Sequence, residues 1–229
     1  MKEFAERIRK STGGTFIFSL GQAGFIVKNR RGTTVAIDPY LSDYTERIEN
    51  NIGFKRLLPK ILGAEELEFD AVITTHEHSD HFDYDSMEAL TKNGKTKLIA
   101  STQCRELAEE IGINKYQIIY VSPGDIVDIN EIRVNIVDCD HGKSAPDAVG
   151  VILETDGKSI YETGDTCLRE DIAISISRQF KNIDVLIGPI NGKYGNMNES
   201  DFIQLISIIN PNIAIPCHYG MFSSHGGDL

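Results

Sequence analysis

The sequence predicts a mixed α/β (α+β) protein in which two sheets are covered by helices. Short apolar runs rich in β-branched residues recur along the chain and are separated by turn residues, as is typical of strands. Strands come first in each half of the chain and helices follow, which favours two covered sheets over one doubly wound sheet. No linker, low-complexity segment or long repeat is visible, so we predict one domain over residues 1–229.

The first half begins with a short, charged, amphipathic segment, MKEFAERIRK, which lacks the apolar stretch of a signal peptide. The predicted strands of this half are Thr15–Leu20, Ala23–Lys28, Thr33–Asp38, Asp70–Thr75 and Lys97–Ala100. The pattern also predicts a tight turn at Asn29–Gly32, an irregular segment at Tyr40–Gly63, and helices at Ser86–Lys92 and Gln103–Ile111.

The second half repeats this pattern of strands followed by helices. Its predicted strands are Gln117–Val121, Asp125–Ile129, Arg133–Asp138, Val149–Thr155, Ser159–Thr163, Asp184–Ile190 and Ile213–Pro216. The turn dipeptide Asp156-Gly157 predicts that the fourth and fifth of these strands form a hairpin. Helical patterns occupy Leu168–Gln179 and Glu199–Ile209.

The charge balance limits the classes of partner. Lys and Arg total 23 against 34 Asp and Glu, which gives a net charge of −11 and argues against binding of nucleic acid or an anionic membrane. A local basic pocket for a phosphate remains compatible with this charge. The four cysteines form no CxxC pair, which favours a reducing compartment, and we expect a cytoplasmic protein.

The clearest chemical signal is a histidine cluster directly after a predicted buried strand. Three of the six histidines lie in the segment Thr75-His76-Glu77-His78-Ser79-Asp80-His81. Residues two apart in an extended loop point the same way, so His76 and His78 can bind one ion. A turn at Ser79 then presents Asp80 and His81 to a nearby point. Imidazole and carboxylate ligands suit Zn, Mn or Fe, and the lack of cysteine ligands argues against a zinc finger.

This H-x-H-x-D-H segment resembles the signature of the metallo-β-lactamase superfamily. The rest of that pattern follows in order, with His141 in DCDHG, Asp165 in YETGDT and His218 in IPCHYG. The resemblance covers nearly the whole chain and implies a four-layer αββα sandwich that holds two metal ions. It implies a first ion held by His76, His78 and His141, a second held by Asp80, His81 and His218, and a bridging Asp165.

The same resemblance implies a hydrolase that uses a metal-bound hydroxide. Asp80 and Asp165 are the expected catalytic residues, and Asp80 would orient the hydroxide and pass a proton to the leaving group. Asp38 follows a predicted strand and matches the superfamily's early aspartate. It is a candidate acceptor for a ligand histidine N–H, while an Asx-type turn before Pro39 is an equally good explanation of its presence.

Further segments resemble the L-ascorbate-6-phosphate lactonase branch of this superfamily. They are LGQAGF at residues 20–25, PING at 189–192, GNM at 195–197 and HYGMF at 218–222. This likeness implies hydrolysis of a sugar-phosphate lactone, commonly with Mn; Zn and Fe stay open. The loop residues Lys193, Tyr194 and Asn196 are candidate substrate-binding residues, and Lys193 is the predicted contact for a phosphate. An ordinary polar surface loop is an equally good interpretation of them.

Three points stay open at this stage. A metal-dependent phosphodiesterase or nuclease of the same fold is the alternative function, and a non-catalytic metal-binding protein is the alternative from another class. The chain ends eleven residues after His218, so it is either a short member or truncated at its C-terminus. A homo-oligomer is also compatible with the sequence. His225 matches none of the implied ligands and is expected to be a flexible tail residue.

Overall fold

The first of two six-stranded sheets is built from the N-terminal half of the chain. The computed structural model describes residues 2–49 and 52–225. The strands lie in chain order and are β1 (Phe16–Gly21), β2 (Gly24–Lys28), β3 (Thr34–Ile37), β4 (Ala71–Thr74), β5 (Lys97–Ser101) and β6 (Ile118–Val121). The pairs β1–β2 and β2–β3 are antiparallel, whereas β3 to β6 run parallel.

The second sheet is built from the C-terminal half. In chain order its strands are β7 (Ile126–Ile129), β8 (Ile132–Asp138), β9 (Val149–Thr155), β10 (Lys158–Glu162), β11 (Val185–Pro189) and β12 (Ile213–Cys217). The pairs β7–β8, β8–β9 and β9–β10 are antiparallel, whereas β10, β11 and β12 run parallel. β8 therefore runs in the same direction as β10.

The two sheets pack face to face, and their facing residues form the central core. Phe25, Ile37 and Ile73 of the first sheet are fully buried there with Val134 and Ile187 of the second. Burial of such apolar side chains contributes about 25 cal/mol per Å² removed from water. Helices α1 (Lys2–Lys10), α3 (Tyr84–Thr91) and α4 (Arg105–Ile111) cover the outer face of the first sheet. Helices α5 (Glu170–Gln179) and α6 (Glu199–Ile209) cover that of the second.

The predicted αββα layering is thus confirmed, and most predicted elements are found with shifts of one or two residues at their ends. The Asp156-Gly157 hairpin is confirmed, with both residues in the left-handed region at φ +52° and +72°. The segment Tyr40–Gly63 was expected to be irregular but contains helix α2 (Tyr44–Glu49) and a 3-10 turn at Ile52–Phe54. Tertiary contacts explain this difference, since the Tyr44 ring stacks on Tyr84 at 5.6 Å.

Among the described residues, no helix combines the length and the apolar character needed to cross a lipid bilayer.

Candidate metal centre

All predicted ligand residues lie at one edge of the sandwich, because each follows the carboxyl end of a strand. Strand β3 leads to Asp38, and β4 leads to the loop 75–81. In the second sheet, β8 leads to His141, β10 to Asp165 and β12 to His218. Parallel strands end at the same edge of a sheet, and the two sheets bring their edges together. The predicted ligand residues, which are far apart in the sequence, therefore lie close together at this edge of the sandwich.

The first group comprises His76, His78 and His141. Nε2 of His76 lies 3.0 Å from Nδ1 of His78, and Nε2 of His141 lies 3.2 Å from that same Nδ1. The three donor atoms lie within 4.8 Å of one another. His76 and His141 are buried, and His78 is half-buried.

The second group comprises Asp80, His81 and His218. Nε2 of His218 lies 3.2 Å from Oδ2 of Asp80 and 3.3 Å from Nε2 of His81, and Oδ2 of Asp80 lies 3.8 Å from Nε2 of His81. His218 has a φ of +63°, a conformation that L residues rarely adopt and that costs backbone strain. The chain leaves β12 in this conformation, and the His218 amide donates to the carbonyl of Gln22 at 2.9 Å.

Asp165 lies between the two groups. Its Oδ2 is 3.0 Å from Nε2 of His218, 3.4 Å from Nε2 of His81 and 3.8 Å from Nε2 of His141. The turn before Asp165 requires a glycine at position 164. Gly164 has a φ of +65°, and a Cβ there would lie 2.6 Å from the carbonyl oxygen of Val149, so a larger residue would not allow the chain to place Asp165 in this way. One carboxylate oxygen is thus close to histidines of both groups.

Two residues hold Asp165 in place. The Cys139 thiol donates to the Asp165 carbonyl oxygen at 2.9 Å, and Nδ2 of Asn196 donates to Oδ2 of Asp165 at 2.8 Å. Asn196 is itself buried. Its hydrogen bond orients the carboxylate towards the histidines, in the way that residues around metal ligands commonly do.

Asp38 is fully buried behind the second group. Its Oδ2 lies 2.7 Å from Nδ1 of His81 and accepts the Thr75 hydroxyl at 2.7 Å, while its Oδ1 accepts the Thr75 amide at 2.8 Å. Both carboxylate oxygens of Asp38 therefore accept hydrogen bonds from neighbouring residues of the protein. The structure places Asp38 next to the ring nitrogen of His81 that faces away from His218.

The five histidines of the two groups fall into two kinds according to the direction in which their pKa values are shifted. Burial lowers the pKa of His76 and His78, and it lowers the pKa of His141 to about 4. Burial also disfavours charge on His81 and His218, but the neighbouring carboxylates, Asp165 foremost, outweigh it. They hold the pKa of His81 well above its usual value and raise the pKa of His218 to about 9.

The carboxylates respond in the opposite direction. Burial alone would raise the pKa of Asp80 and Asp165, but the charged imidazoles of His81 and His218 outweigh it and hold both pKa values well below their usual range. Both carboxylates are therefore ionised at neutral pH and have lone pairs available for a cation.

The donor set fits divalent metal ions. Neutral imidazole nitrogens of the first group face one another at 3.0 and 3.2 Å, yet each ring has only one N–H to share. A cation between the facing nitrogens would satisfy them together. Mixed imidazole and carboxylate ligands suit Zn, Mn and Fe.

Five of the predicted ligand residues line a cavity of about 630 Å³, namely His78, Asp80, His141, Asp165 and His218. Phe54, Tyr194 and Lys143 also line it. Of the three predicted substrate-binding residues, only Tyr194 is part of this lining. Asn196 contacts Asp165 instead, and Nζ of Lys193 donates to the carbonyl of Ser224 at 2.8 Å.

His225 was expected to be a flexible tail residue, and this expectation is wrong. Its side chain is only 3% exposed, and its ring packs at 4.9 Å from the ring of His218. The sequence carries no local signal for this burial, because it depends on contacts with residues far away in the chain.

Gln22 was also missed as a site residue. Its Nε2 donates to Oδ2 of Asp80 at 2.8 Å, and its φ is +52°. The LGQAGF segment, already similar to the lactonase branch, is the signal that marks this position.

Comparisons with known proteins identify the family of the chain. Residues 17–218 match the model of the family described as Beta-lactamase superfamily domain. A UPF0173 metal-dependent hydrolase of Saccharolobus solfataricus is 34% identical over 66% of this chain and 65% of that protein. The probable L-ascorbate-6-phosphate lactonase UlaG of Escherichia coli is 26% identical over 94% of this chain and 72% of that protein.

The fold has close counterparts among solved structures. The structure of Igni18, a metallo hydrolase from Ignicoccus hospitalis, aligns with a TM-score of 0.71 over 93% of this chain and 86% of that one, at 23% identity. The fold and the family match lead to one conclusion: the chain is a metal-dependent hydrolase of the metallo-β-lactamase superfamily.

Proposed function

We propose that this hydrolase holds two metal ions and opens the lactone ring, or a related ester, of a small phosphorylated sugar acid. The observation that supports a pair of ions is the position of Asp165. Its Oδ2 lies within 3.8 Å of histidines that belong to both groups. A shared carboxylate oxygen offsets the mutual repulsion of two adjacent cations.

The ligand assignment follows the two groups. His76, His78 and His141 would hold the first ion, Asp80, His81 and His218 the second, and Asp165 both. Two divalent ions, Mn or Zn with Fe as a further option, would supply Lewis acidity that makes water nucleophilic near neutral pH and polarises a carbonyl oxygen.

Asp80 is the residue proposed to handle the proton. It lines the cavity, and Nε2 of Gln22 donates to its Oδ2 at 2.8 Å, which holds the carboxylate in place. A carboxylate in this position can take a proton from the attacking water and give it to the leaving alkoxide oxygen. General acid–base catalysis of this kind contributes about 10²–10⁴-fold to a rate.

The substrate class rests on the cavity and on the relatives. The cavity volume of about 630 Å³ suits a small molecule. Two side chains of the cavity wall are candidates for binding a phosphorylated sugar acid. The Lys143 ammonium can form an ion pair with the phosphate, and Tyr194 can stack on the sugar or donate a hydrogen bond to it. The probable lactonase UlaG is among the relatives, and this supports a lactone as the bond that is cleaved.

The function is tested by reconstituting the metal-free chain with Mn, Zn or Fe. The loaded protein is then screened against sugar-phosphate lactones, phosphodiesters and thiolesters. We expect two ions per chain by elemental analysis and ring opening of the lactones. Turnover of phosphodiesters alone would instead identify the alternative function.

A pair of variants in one loop gives the matched control. His76→Ala removes a proposed ligand and should abolish activity while circular dichroism shows an intact fold. Glu77→Gln alters the adjacent side chain, which offers no donor atom to either group, and should retain the metal content. Full turnover by His76→Ala would overturn the proposed metal mechanism.

A further inference from the structure

We propose that His225 is an additional ligand of the second ion, the one flanked by Asp80 and His218. This inference rests on the proposed function, since it presupposes that an ion binds there. It assigns a role to a histidine that lies outside the motifs of the superfamily signature, seven residues beyond His218.

The donor atoms are already close to one another. Asp80, His218 and His225 each offer one ligand atom, and these three atoms lie within 4.8 Å of one another. Bonds of about 2.0–2.2 Å place donors on one Zn ion up to roughly 4.4 Å apart, so a small side-chain adjustment would bring all three onto one ion. The structure thus brings together three residues, His225 among them, that could hold one cation.

The side chain of His225 also has an unused donor atom. Its Nδ1 is buried with no hydrogen-bond partner among the described residues, and the side chain is 3% exposed. Leaving a buried polar nitrogen without a partner is unfavourable, so a partner for this atom would stabilise the folded chain. The residue lines the same cavity as Asp80 and His218, and an ion in that cavity is a partner of the right charge.

Backbone contacts hold the segment that carries His225. The Ser224 amide donates to the carbonyl of Gly53 at 2.9 Å, and the Leu57 amide donates to the carbonyl of Met221 at 2.8 Å. Nζ of Lys193 donates to the Ser224 carbonyl at 2.8 Å. These contacts come from two separate parts of the chain, so the position of His225 is built by tertiary structure.

An aromatic cluster fixes the orientation of the ring. The His225 ring lies 5.4 Å from Phe54 in an edge-on arrangement, 5.0 Å from Phe222 and 5.3 Å from Tyr194. Packing on these sides restricts rotation of the imidazole and reduces the entropy lost on ligation.

His225 would make the two ions unequal. The first ion would have the histidines 76, 78 and 141 with Asp165, which is four protein donors. The second ion would have Asp80, His81, His218, Asp165 and His225, which is five. We therefore expect the two ions to differ in affinity and in spectroscopic signature.

The test uses the full chain titrated with Co²⁺, whose visible absorption reports on the ligands. The wild type is titrated first, and it should bind two ions. In His225→Phe and His225→Asn one of the two dissociation constants should rise about ten- to a hundredfold. The absorption of the ion at that site should change as well. Phe54→Leu disturbs the same aromatic cluster without removing a donor, so it should weaken binding at that site much less than the two His225 variants do.

The outcomes separate this inference from the proposed function. Unchanged dissociation constants and an unchanged Co²⁺ spectrum in both His225 variants would overturn it, and a change in KM alone would assign His225 to the substrate. Failure of the wild type to bind two ions would instead reject the dinuclear site on which the proposed function rests. Equal weakening by Phe54→Leu would show that packing, not ligation, is responsible.

Discussion

Oδ2 of Asp38 lies 2.7 Å from Nδ1 of His81, and both side chains are fully buried. The same carboxylate accepts the amide and the hydroxyl of Thr75, so it cannot turn away. Because His81 donates its Nδ1–H to Asp38, its Nε2 is the atom that faces His218 at 3.3 Å. Asp38 therefore orients a proposed ligand without being a ligand itself.

Asp38→Asn should weaken binding of one ion about ten- to a hundredfold, measured by calorimetric titration of the metal-free protein. The amide has one acceptor oxygen where the carboxylate uses two, so either His81 or Thr75 loses its partner. Asn is the appropriate replacement because Asp38 has a φ of +43°, a conformation that Asn tolerates better than most residues.

Asp156→Asn provides the matched control for this change. Asp156 also has a positive φ, +52°, but lies in the hairpin turn, where it pairs with Arg30. Metal binding by this variant should equal that of the wild type. Equal binding by Asp38→Asn would show that Thr75, and not His81, is the interaction for which Asp38 is needed.

Local pattern predicted the strands and the histidine cluster of the loop 76–81, because both depend on short-range sequence. A largely β-branched run such as Val35-Ala36-Ile37 predicts its own strand, and the three histidines of the loop lie within the six residues 76–81. The position of His225 could not be predicted in this way. It depends on the contact between Ser224 and Gly53, which are 171 residues apart, and no local period encodes that contact.

Uptake of the second ion should release protons. His81 and His218 are protonated at pH 7 in the metal-free protein, since carboxylates outweigh burial and raise both pKa values, that of His218 to about 9. A metal ligand must be deprotonated, so each imidazole loses a proton on binding. The affinity of this ion should therefore rise as the pH increases from 7 to about 9.

Calorimetric titration in buffers of different ionisation enthalpy measures the number of protons released per ion bound. The first group is an internal control, because burial lowers the pKa of His76, His78 and His141 and they are already neutral at pH 7. Binding there should show little pH dependence over the same range. If neither ion shows a rise in affinity between pH 7 and 9, the protonated pair is not part of the metal site.

Lys143→Gln should raise the KM for a phosphorylated lactone about ten- to a hundredfold, while the KM for its dephosphorylated analogue changes little. Lys143 lines the cavity, and a hydrogen bond to a charged group contributes about 1.5–3 kcal/mol. Lys193→Gln is the comparison, because Nζ of Lys193 is bound to the Ser224 carbonyl. A larger, phosphate-selective effect in Lys193→Gln would restore Lys193 as the phosphate contact.

Asp165→Asn tests the centre of the proposed site. It keeps the shape of the side chain but removes the charge and replaces one oxygen with an amide nitrogen, which is a poor ligand while it carries its protons. The variant should lose at least one ion, and kcat should fall by several orders of magnitude. Elemental analysis and steady-state kinetics measure the two effects, and circular dichroism verifies that the strand and the Gly164 turn still form.

Asp140→Asn separates a loss of ligation from a general loss of negative charge near the ions. Asp140 precedes His141, yet its carboxylate is turned to the surface, where it pairs with Arg169 at 2.6 Å. This variant should keep both ions and most of the turnover.

If Asp165→Asn also kept both ions and near-normal turnover, Asp165 would be a structural residue of the turn held by Cys139 and Asn196. The two histidine groups would then have no shared ligand, and the proposed two-metal mechanism would be wrong.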